Sequence, residues 1–308
     1  MREYADLLLR SMVARDPWML PLADRYAATE NSVAGSLNMM SFWRTVTGIK
    51  AVGQCFVDRV WGQVLVTANL DEGGSSTVFY GRLKIESGAI SELELYSIRC
   101  RADAGFVFAA DEIGTLPVGW TSPIPPGGRA SREELHQVGK AIFAANLPAP
   151  EASSDCILME AGGIVLEDPE YLDTLFPESA PVRTTAEHVS IPAGLMPGRP
   201  SDPDARVVLI DEEQGVVVAI AVIPGFVSPY LVARATESCF VPREMIHMHD
   251  RTLSPEKFAG RQAIIEMPAA AVSVEVIRMH SGKLQGLHMF HSLQGPGGKT
   301  PWTDTPQR

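Results

Sequence analysis

Leu83-Lys84-Ile85-Glu86-Ser87-Gly88-Ala89-Ile90-Ser91-Glu92-Leu93-Glu94-Leu95-Tyr96 lies without a gap on Ile277-Arg278-Met279-His280-Ser281-Gly282-Lys283-Leu284-Gln285-Gly286-Leu287-His288-Met289-Phe290. Ser-Gly falls on Ser-Gly, and apolar residues fall on apolar ones at nearly every position that strand alternation assigns to an interior. Upstream, Gly62-Gln63-Val64-Leu65-Val66 matches Gly215-Val216-Val217-Val218-Ala219, each after an acidic, polar turn. Two matched strand pairs, far apart in the chain, predict one structural unit used twice.

Working outward from the first copy, period-two patterning marks strands at 51–56, 63–70, 77–85 and 89–100. Gly62, Asp71-Glu72-Gly73-Gly74 and Ser87-Gly88 break them. Ahead of them Tyr4, Leu7, Leu8, Ser11 and Met12 recur at helical spacing, predicting a helix that ends near Ala14. Asp16-Pro17 then starts a second short helix over 18–23, and a third runs from Leu37 through Trp43 and Arg44 to Gly48. Helices followed by an antiparallel meander predict an α+β fold with the helices on one face of a curved sheet. The Pro/Gly-rich stretch 117–128 reads as a linker, and the capping box Ser131-Arg132-Glu133-Glu134 starts a new helix over 131–145. The expected domains are 1–116 and 131–308, joined by 117–130.

A chain of 308 residues accommodates two domains of ordinary size. The net charge of -11 comes with scattered basic residues, so neither nucleic acid nor an anionic membrane surface is an expected partner. Met1 is followed by Arg2, Glu3 and Asp6 without an apolar leader, which predicts a soluble, cytoplasmic protein. Cys55, Cys100, Cys156 and Cys239 lie far apart and suit reduced thiols. No dinucleotide fingerprint, phosphate-binding loop or serine-hydrolase elbow occurs, so no cofactor is expected.

Helix, short helix, Thr29-Glu30-Asn31, Phe42-Trp43-Arg44-Thr45 and a meander ending in Ser-Gly-x-Ile-x-x-Leu-Glu-Leu-Tyr resemble the nuclear transport factor 2-like, or SnoaL-like, superfamily. The resemblance is closest to a group that carries a Thr-Glu-Asn-Gly motif and fuses two such domains. Ser32 stands where that glycine is usual, and Cys156-x-x-Met159-Glu160-Ala161-Gly162 is a degraded second version. The resemblance implies two tandem cone-shaped α+β barrels forming an intrachain pseudo-dimer, each with a pocket at its wide end. It further implies a cofactor-independent lyase, dehydratase or isomerase acting on a small hydrophobic, aromatic or polyketide-like molecule. The alternative is a non-catalytic binding or assembly protein. Sheets of single-domain relatives pair, so a homodimer of the pseudo-dimer is a further expected partner.

Acid–base work in an apolar cone needs an ionisable group held out of water. In the first half Glu30 is the candidate base, with Asn31 or Tyr26 donating to a developing oxyanion, and Trp43, Arg44, Asp58, Tyr80 and Tyr96 are candidate substrate contacts. Helix capping, pairing with Arg44 and plain core packing are the structural alternatives for these residues. Every histidine lies in the second half. His288 and His291 stand three residues apart on the last strand and therefore face opposite sides of the sheet, so one of them enters a pocket and the other meets an interface. His247, His249 and Asp250 lack a third ligand at a fixed spacing, and no metal site is expected. Methionines in both halves offer adaptable apolar walls.

Overall fold

The computed structural model describes residues 1–99, 108–115, 120, 122–144, 150–164, 202, 204–232, 235–243 and 265–302. These are mostly strand with few helices. In the first half α1 (Arg2–Ala14) precedes β1 (Leu22–Glu30), β2 (Val33–Ala34), α2 (Phe42–Thr45), β3 (Gly48–Asp58), β4 (Gln63–Glu72), β5 (Ser75–Glu86) and β6 (Ala89–Ile98). In the second, α3 (Arg132–Ala141) precedes β7 (Ala152–Glu160), β8 (Gly163–Ile164), β9 (Arg206–Asp211), β10 (Val216–Val232), β11 (Ala235–Pro242), β12 (Met267–His280) and β13 (Lys283–Gln294). The capping box at Ser131 is present with both of its reciprocal hydrogen bonds.

The first sheet runs β2-β1-β6-β5-β4-β3, and the second runs β8-β7-β13-β12-β10-β11 with β9 also on β10. β1 joins β6 in parallel, as β7 joins β13. The hairpins β5–β6 and β12–β13 turn on Ser87-Gly88 and Ser281-Gly282, all four at positive φ, the I′ signature that matches strand twist. Gly62 and Gly215 are each pressed against a carbonyl, of Ile85 and Met279 respectively, where a Cβ would sit 2.4 Å from the oxygen. Ile85 and Met279 each donate a backbone N–H back to that glycine at 2.8 Å. A register irregularity interrupts both hairpins at this point.

Two expected elements differ. Residues 18–23 do not form a helix: a single 3-10 turn at Pro17–Met19 gives way to β1. β1 was hidden because its burial does not alternate cleanly, and its register with β6 shifts between Leu22 and Ala27. The third helix is broken as well, into a 3-10 turn at Leu37–Met39 and the single turn of α2. Met40 between them is extended, and β-branched Thr45, Val46 and Thr47 discourage continuation.

Alternation along the strands makes three apolar layers. In the first half Ala5, Leu8, Leu9 and Met12 of α1 pack with Phe42 and Trp43 on Val64, Val66, Phe79, Leu83, Leu93 and Leu95. In the second, Leu135, Ile142 and Phe143 pack on Val217, Ala219, Ile277, Leu287 and Met289. Gly139 lets α3 lie close, since a Cβ there would meet Val217 and Val207 within 3 Å. The third layer lies between the sheets, where Leu65, Val78, Tyr80 and Tyr96 meet Val216, Val218, Val274, Val276 and Phe290.

Polar groups at the end of that layer are shared reciprocally. Asp58 Oδ2 accepts the backbone N–H of Ile210 at 3.0 Å, and Asp211 Oδ2 accepts that of Val57 at 3.0 Å. These four residues correspond by the same spacing that lays Gly62 on Gly215. Each aspartate also closes its own turn, Asp58 taking N–H groups of Val60 and Trp61 and Asp211 that of Gln214. Arg132 of α3 then forks onto Asp58 at 3.1 and 2.6 Å while stacking 4.3 Å over Trp61. Asp58→Ala strands three backbone donors and leaves Arg132 to Glu212 and the Ile210 carbonyl, so it should lower unfolding stability by about 3 kcal/mol. Asp211→Ala, which strands fewer backbone donors, should cost less; urea midpoints of the two variants measure the difference.

Candidate functional site

The helix-bearing face of the second sheet carries an unexpected polar group. On β7 the residues Cys156 and Leu158 face the α3 core, and alternation continues to Glu160. On β13 Leu287 and Met289 lead to His291, and on β12 Ala271 and Ile277 bracket Ser273 and Glu275. The register joins them: Met289 pairs with both Glu160 and Glu275, and His291 pairs with Ser273. Glu160, Ser273 and Glu275 are buried, whereas the His291 side chain is 18% exposed.

His291 Nδ1 lies 2.9 Å from Glu160 Oε1, and Ser273 donates to Glu275 Oε1 at 3.2 Å. The second carboxylate oxygen of Glu160 is buried without a hydrogen-bond partner among the described residues. Burial alone would push the His291 imidazole down; the hydrogen bond and charge of Glu160, with the charge of Glu275 behind it, outweigh that and hold it above its ordinary value. A carboxylate and an imidazole sharing a proton beside a second carboxylate form a proton-transfer set.

The first half is built differently at the matching positions. Phe79 stands where the second half has Ser273, Gly81 where it has Glu275, and Ser97 where it has His291. Phe79 is fully buried and meets Phe42 edge-on at 5.0 Å, and its ring occupies the space over Gly81. Aromatic side chains thus fill the place that polar groups line in the second half.

The residues expected from sequence fall as follows. Glu30 accepts from the backbone N–H of Ser41 at 2.6 Å and from the Ser41 hydroxyl, tying β1 to the start of α2. Arg99 continues this network to Ser41 and Glu72. Arg44, the alternative partner of Glu30, is exposed. Asn31 sits at positive φ in the β1–β2 turn and bonds both the amide and the hydroxyl of Ser97. Tyr26 is half-buried against the first core, and Trp43 is in that core with its indole N–H on Ser11 at 3.1 Å. Asp58, Tyr80 and Tyr96 belong to the layer between the sheets. Tyr80 stacks on Tyr96 at 4.9 Å and has no hydroxyl partner among the described residues, and Tyr96 donates to Glu94 at 2.6 Å. Glu94 is held by Arg82 and, across the junction, by Arg206; this pairing with two guanidinium groups keeps its carboxyl below the ordinary value despite burial. His247, His249 and Asp250 lie outside the described residues.

Of the two histidines on β13, His291 faces the α3 core and His288 faces the junction. The backbone N–H of Gly162 donates to His288 Nε2 at 3.1 Å, so the proton of the neutral ring sits on Nδ1, 3.3 Å from Gln54 Oε1. Burial among Trp120 and Phe290 lowers its pKa to about 3. Sequence reading named Glu160 only as part of a motif and missed Ser273 and Glu275. The signal was there: extending the Leu83–Ile277 overlay upstream puts polar residues at two positions that alternation assigns to the core.

No protein-family model matches the chain, and no curated protein matches its sequence. Among solved structures, a de novo designed protein with a curved β-sheet overlays 32% of this chain and 84% of its own, at 18% identity and a TM-score of 0.27. An NTF2-like protein of unknown function from Cytophaga hutchinsonii overlays 32% of this chain and 88% of its own, at 13% identity and 0.26. A protein of Kribbella flavida, provisionally described as a ketosteroid isomerase, overlays 32% and 78%, at 17% identity and 0.27. No helix among the described residues is long and apolar enough to cross a membrane.

The neutral His288 gives a pH signature. Its folded pKa is depressed, so the unfolded chain binds the proton first, and stability falls as pH drops from about 6.5 toward 3. Between pH 6.5 and 5 the difference in unfolding free energy between wild type and His288→Gln should shrink by about 1.6 kcal/mol, the slope rising toward 1.36 kcal/mol per unit as the unfolded imidazole becomes fully protonated. His291, with a raised folded pKa, contributes in the opposite sense: its share is present below about 6.5 and is lost as pH rises through the folded value. Denaturant titrations at several pH values on both proteins check the sign.

Proposed function

We propose that the chain is a duplicated cone, an intrachain pseudo-dimer whose second half carries out proton transfer on a small hydrophobic molecule. The reciprocal Asp58–Ile210 and Asp211–Val57 bonds support the duplication, because the same patch serving both partners is the mark of a two-fold pairing. The observation that carries the function is the buried Glu160–His291 pair on the helix-bearing face of the second sheet. Glu160 accepts a proton from a carbon acid or hydroxyl, His291 in its imidazolium form donates to the oxygen that gains charge, and Glu275 supports that protonated form. The reaction class is isomerisation, dehydration or lyase chemistry, which such a set performs without a cofactor. Apolar Leu287, Met289 and Phe240 suit an aromatic or polyketide-like substrate.

The packed first interior favours a supporting role for that half, with Phe79 and Trp43 filling what a substrate would occupy. This moves the expected base from Glu30 to Glu160. A generic carbon acid tests the reading: 2-tetralone in D2O, with deuterium incorporation beside the carbonyl followed by NMR. Glu160→Gln and His291→Gln should each lower catalysed exchange by about 10²-fold or more. The pH–rate profile of the wild type should bend above pH 6.5, and His291→Gln should remove the bend. Exchange lost in Glu30→Gln but kept in Glu160→Gln would return the site to the first half, and a chain that accelerates nothing would leave the binding alternative.

A further inference from the structure

A cleft of about 270 Å³ opens where α1, the edge strand β3 and the second half meet, away from the Glu160–His291 pair. Its walls are Val52, Cys55, Phe56 and Trp120, with Gln54 and Gln214 deep and Arg2 and Asp6 on the exposed rim. This volume is near the lower end of small-molecule pockets.

Two buried donors on this cleft are unspent. Gln54 and Trp120 are each 2% exposed, and neither Gln54 Nε2 nor Trp120 Nε1 has a hydrogen-bond partner among the described residues. An orphaned buried donor costs about 1–3 kcal/mol. The Gln54 amide cannot turn to relieve this. Gly162 commits His288 Nε2 as an acceptor, so Nδ1 must donate, and Gln54 must present its oxygen to it. The free group is therefore the amide N–H₂. The backbone has also been rearranged here: the register of β3 shifts between Val52 and Cys55, and the Thr67 hydroxyl takes the Gln54 N–H at 2.7 Å. Bulges in edge strands commonly re-aim a side chain in this way. Gly53 makes the close approach, since a Cβ there would meet Thr67 Oγ1 at 2.5 Å.

Both unspent groups are donors, so the missing partner is an acceptor. Arg2 begins the thirteen-residue α1, which has no side-chain cap, and adds positive potential at the rim. Asp6 at the rim and the buried Asp211 behind Gln214 oppose it, and Asp211 is already taken up by the Gln214 amide and the Val57 N–H. We infer that this cleft binds a small carboxylic acid with an apolar body, its carboxylate taking the Gln54 amide and Trp120 indole protons and its body resting on Val52 and Phe56. The site is independent of the proposed catalysis and would stand if that reading fell.

Benzoate is the probe, with acetophenone and benzylamine as neutral and cationic counterparts of similar shape. The readout is the indole N–H resonance of Trp120, assigned by its loss in Trp120→Phe. Benzoate should shift it saturably with a Kd below about 1 mM, about tenfold tighter than acetophenone, a difference of 1.4 kcal/mol, and benzylamine should not shift it. Gln54→Glu keeps an acceptor for His288 while replacing the free donor by a charge, and it should weaken benzoate at least tenfold; its amide spectrum shows that the variant is folded. Asp6→Asn, at the exposed rim, should tighten benzoate by about two- to fivefold. No saturable shift with benzoate, equal affinity for acetophenone, or wild-type affinity in a folded Gln54→Glu protein would each overturn the assignment.

Discussion

The layer between the two sheets is the constraint on which the molecule depends. Sheets that each bury one face under a helix still expose the other, and here those other faces meet over Tyr80, Tyr96, Val274, Val276 and Phe290. An apolar layer alone would leave the sheets free to slide. The aspartates that end β3 and β9 prevent it, because each accepts a backbone N–H from the strand that the other one ends. Sliding by one residue would break both bonds and pull Asp58 away from Arg132. Further inward, Glu94 on β6 grips Arg206 of β9, and the matching position on β13, His288, grips Gln54 of β3. The same places in the two halves hold the junction with different chemistry, one charged and one neutral.

With the junction faces committed, the helix-bearing faces of the two sheets differ. The first is closed by Phe42, Trp43 and Phe79, and its polar network of Glu30, Ser41, Arg99 and Glu72 holds loops and strand ends together. The second has less bulk at Ser273 and has ionisable Glu275 and His291 where the first has Gly81 and Ser97, beside Glu160. Buried carboxylates of this kind cost stability unless they are paired. Here His291 pairs Glu160, and Ser273 donates to Glu275, which offsets part of that cost.

The four-stranded meander of the first half, the hairpin turns and the capping box were legible because each rests on local chemistry: alternation, Ser-Gly at positive φ, and a Ser-x-x-Glu box. β1 was not, since a parallel strand with an irregular register leaves no period, and 18–23 therefore read as helix. The site was half legible. Strand parity separated His288 from His291 correctly, but parity alone could not say which face was the junction, as that is decided by packing between residues far apart in the chain. Glu30 drew attention through its motif, whereas Glu160, at the equivalent position, stood in a degraded copy. The motif kept its structural form where Asn31 and Ser32 hold the turn, and the second copy kept the positive φ values at Ala161 and Gly162 while changing what the glutamate touches.

His288 and His291 show how little separates an imidazole held neutral from one that favours its proton. They share a strand and a residue type, and burial disfavours charge on both. His288 meets only neutral partners, a glutamine oxygen and a backbone N–H, and nothing offsets the loss of water, so its neutral form is the stable one. His291 meets a carboxylate at 2.9 Å, and the same loss of water is reversed by that charge. The neutral ring has both nitrogens committed, while His291 keeps Glu160 as its partner at a partly exposed face. The opposite environments of the two rings follow from the two-residue period of the backbone before any other feature of the fold is considered.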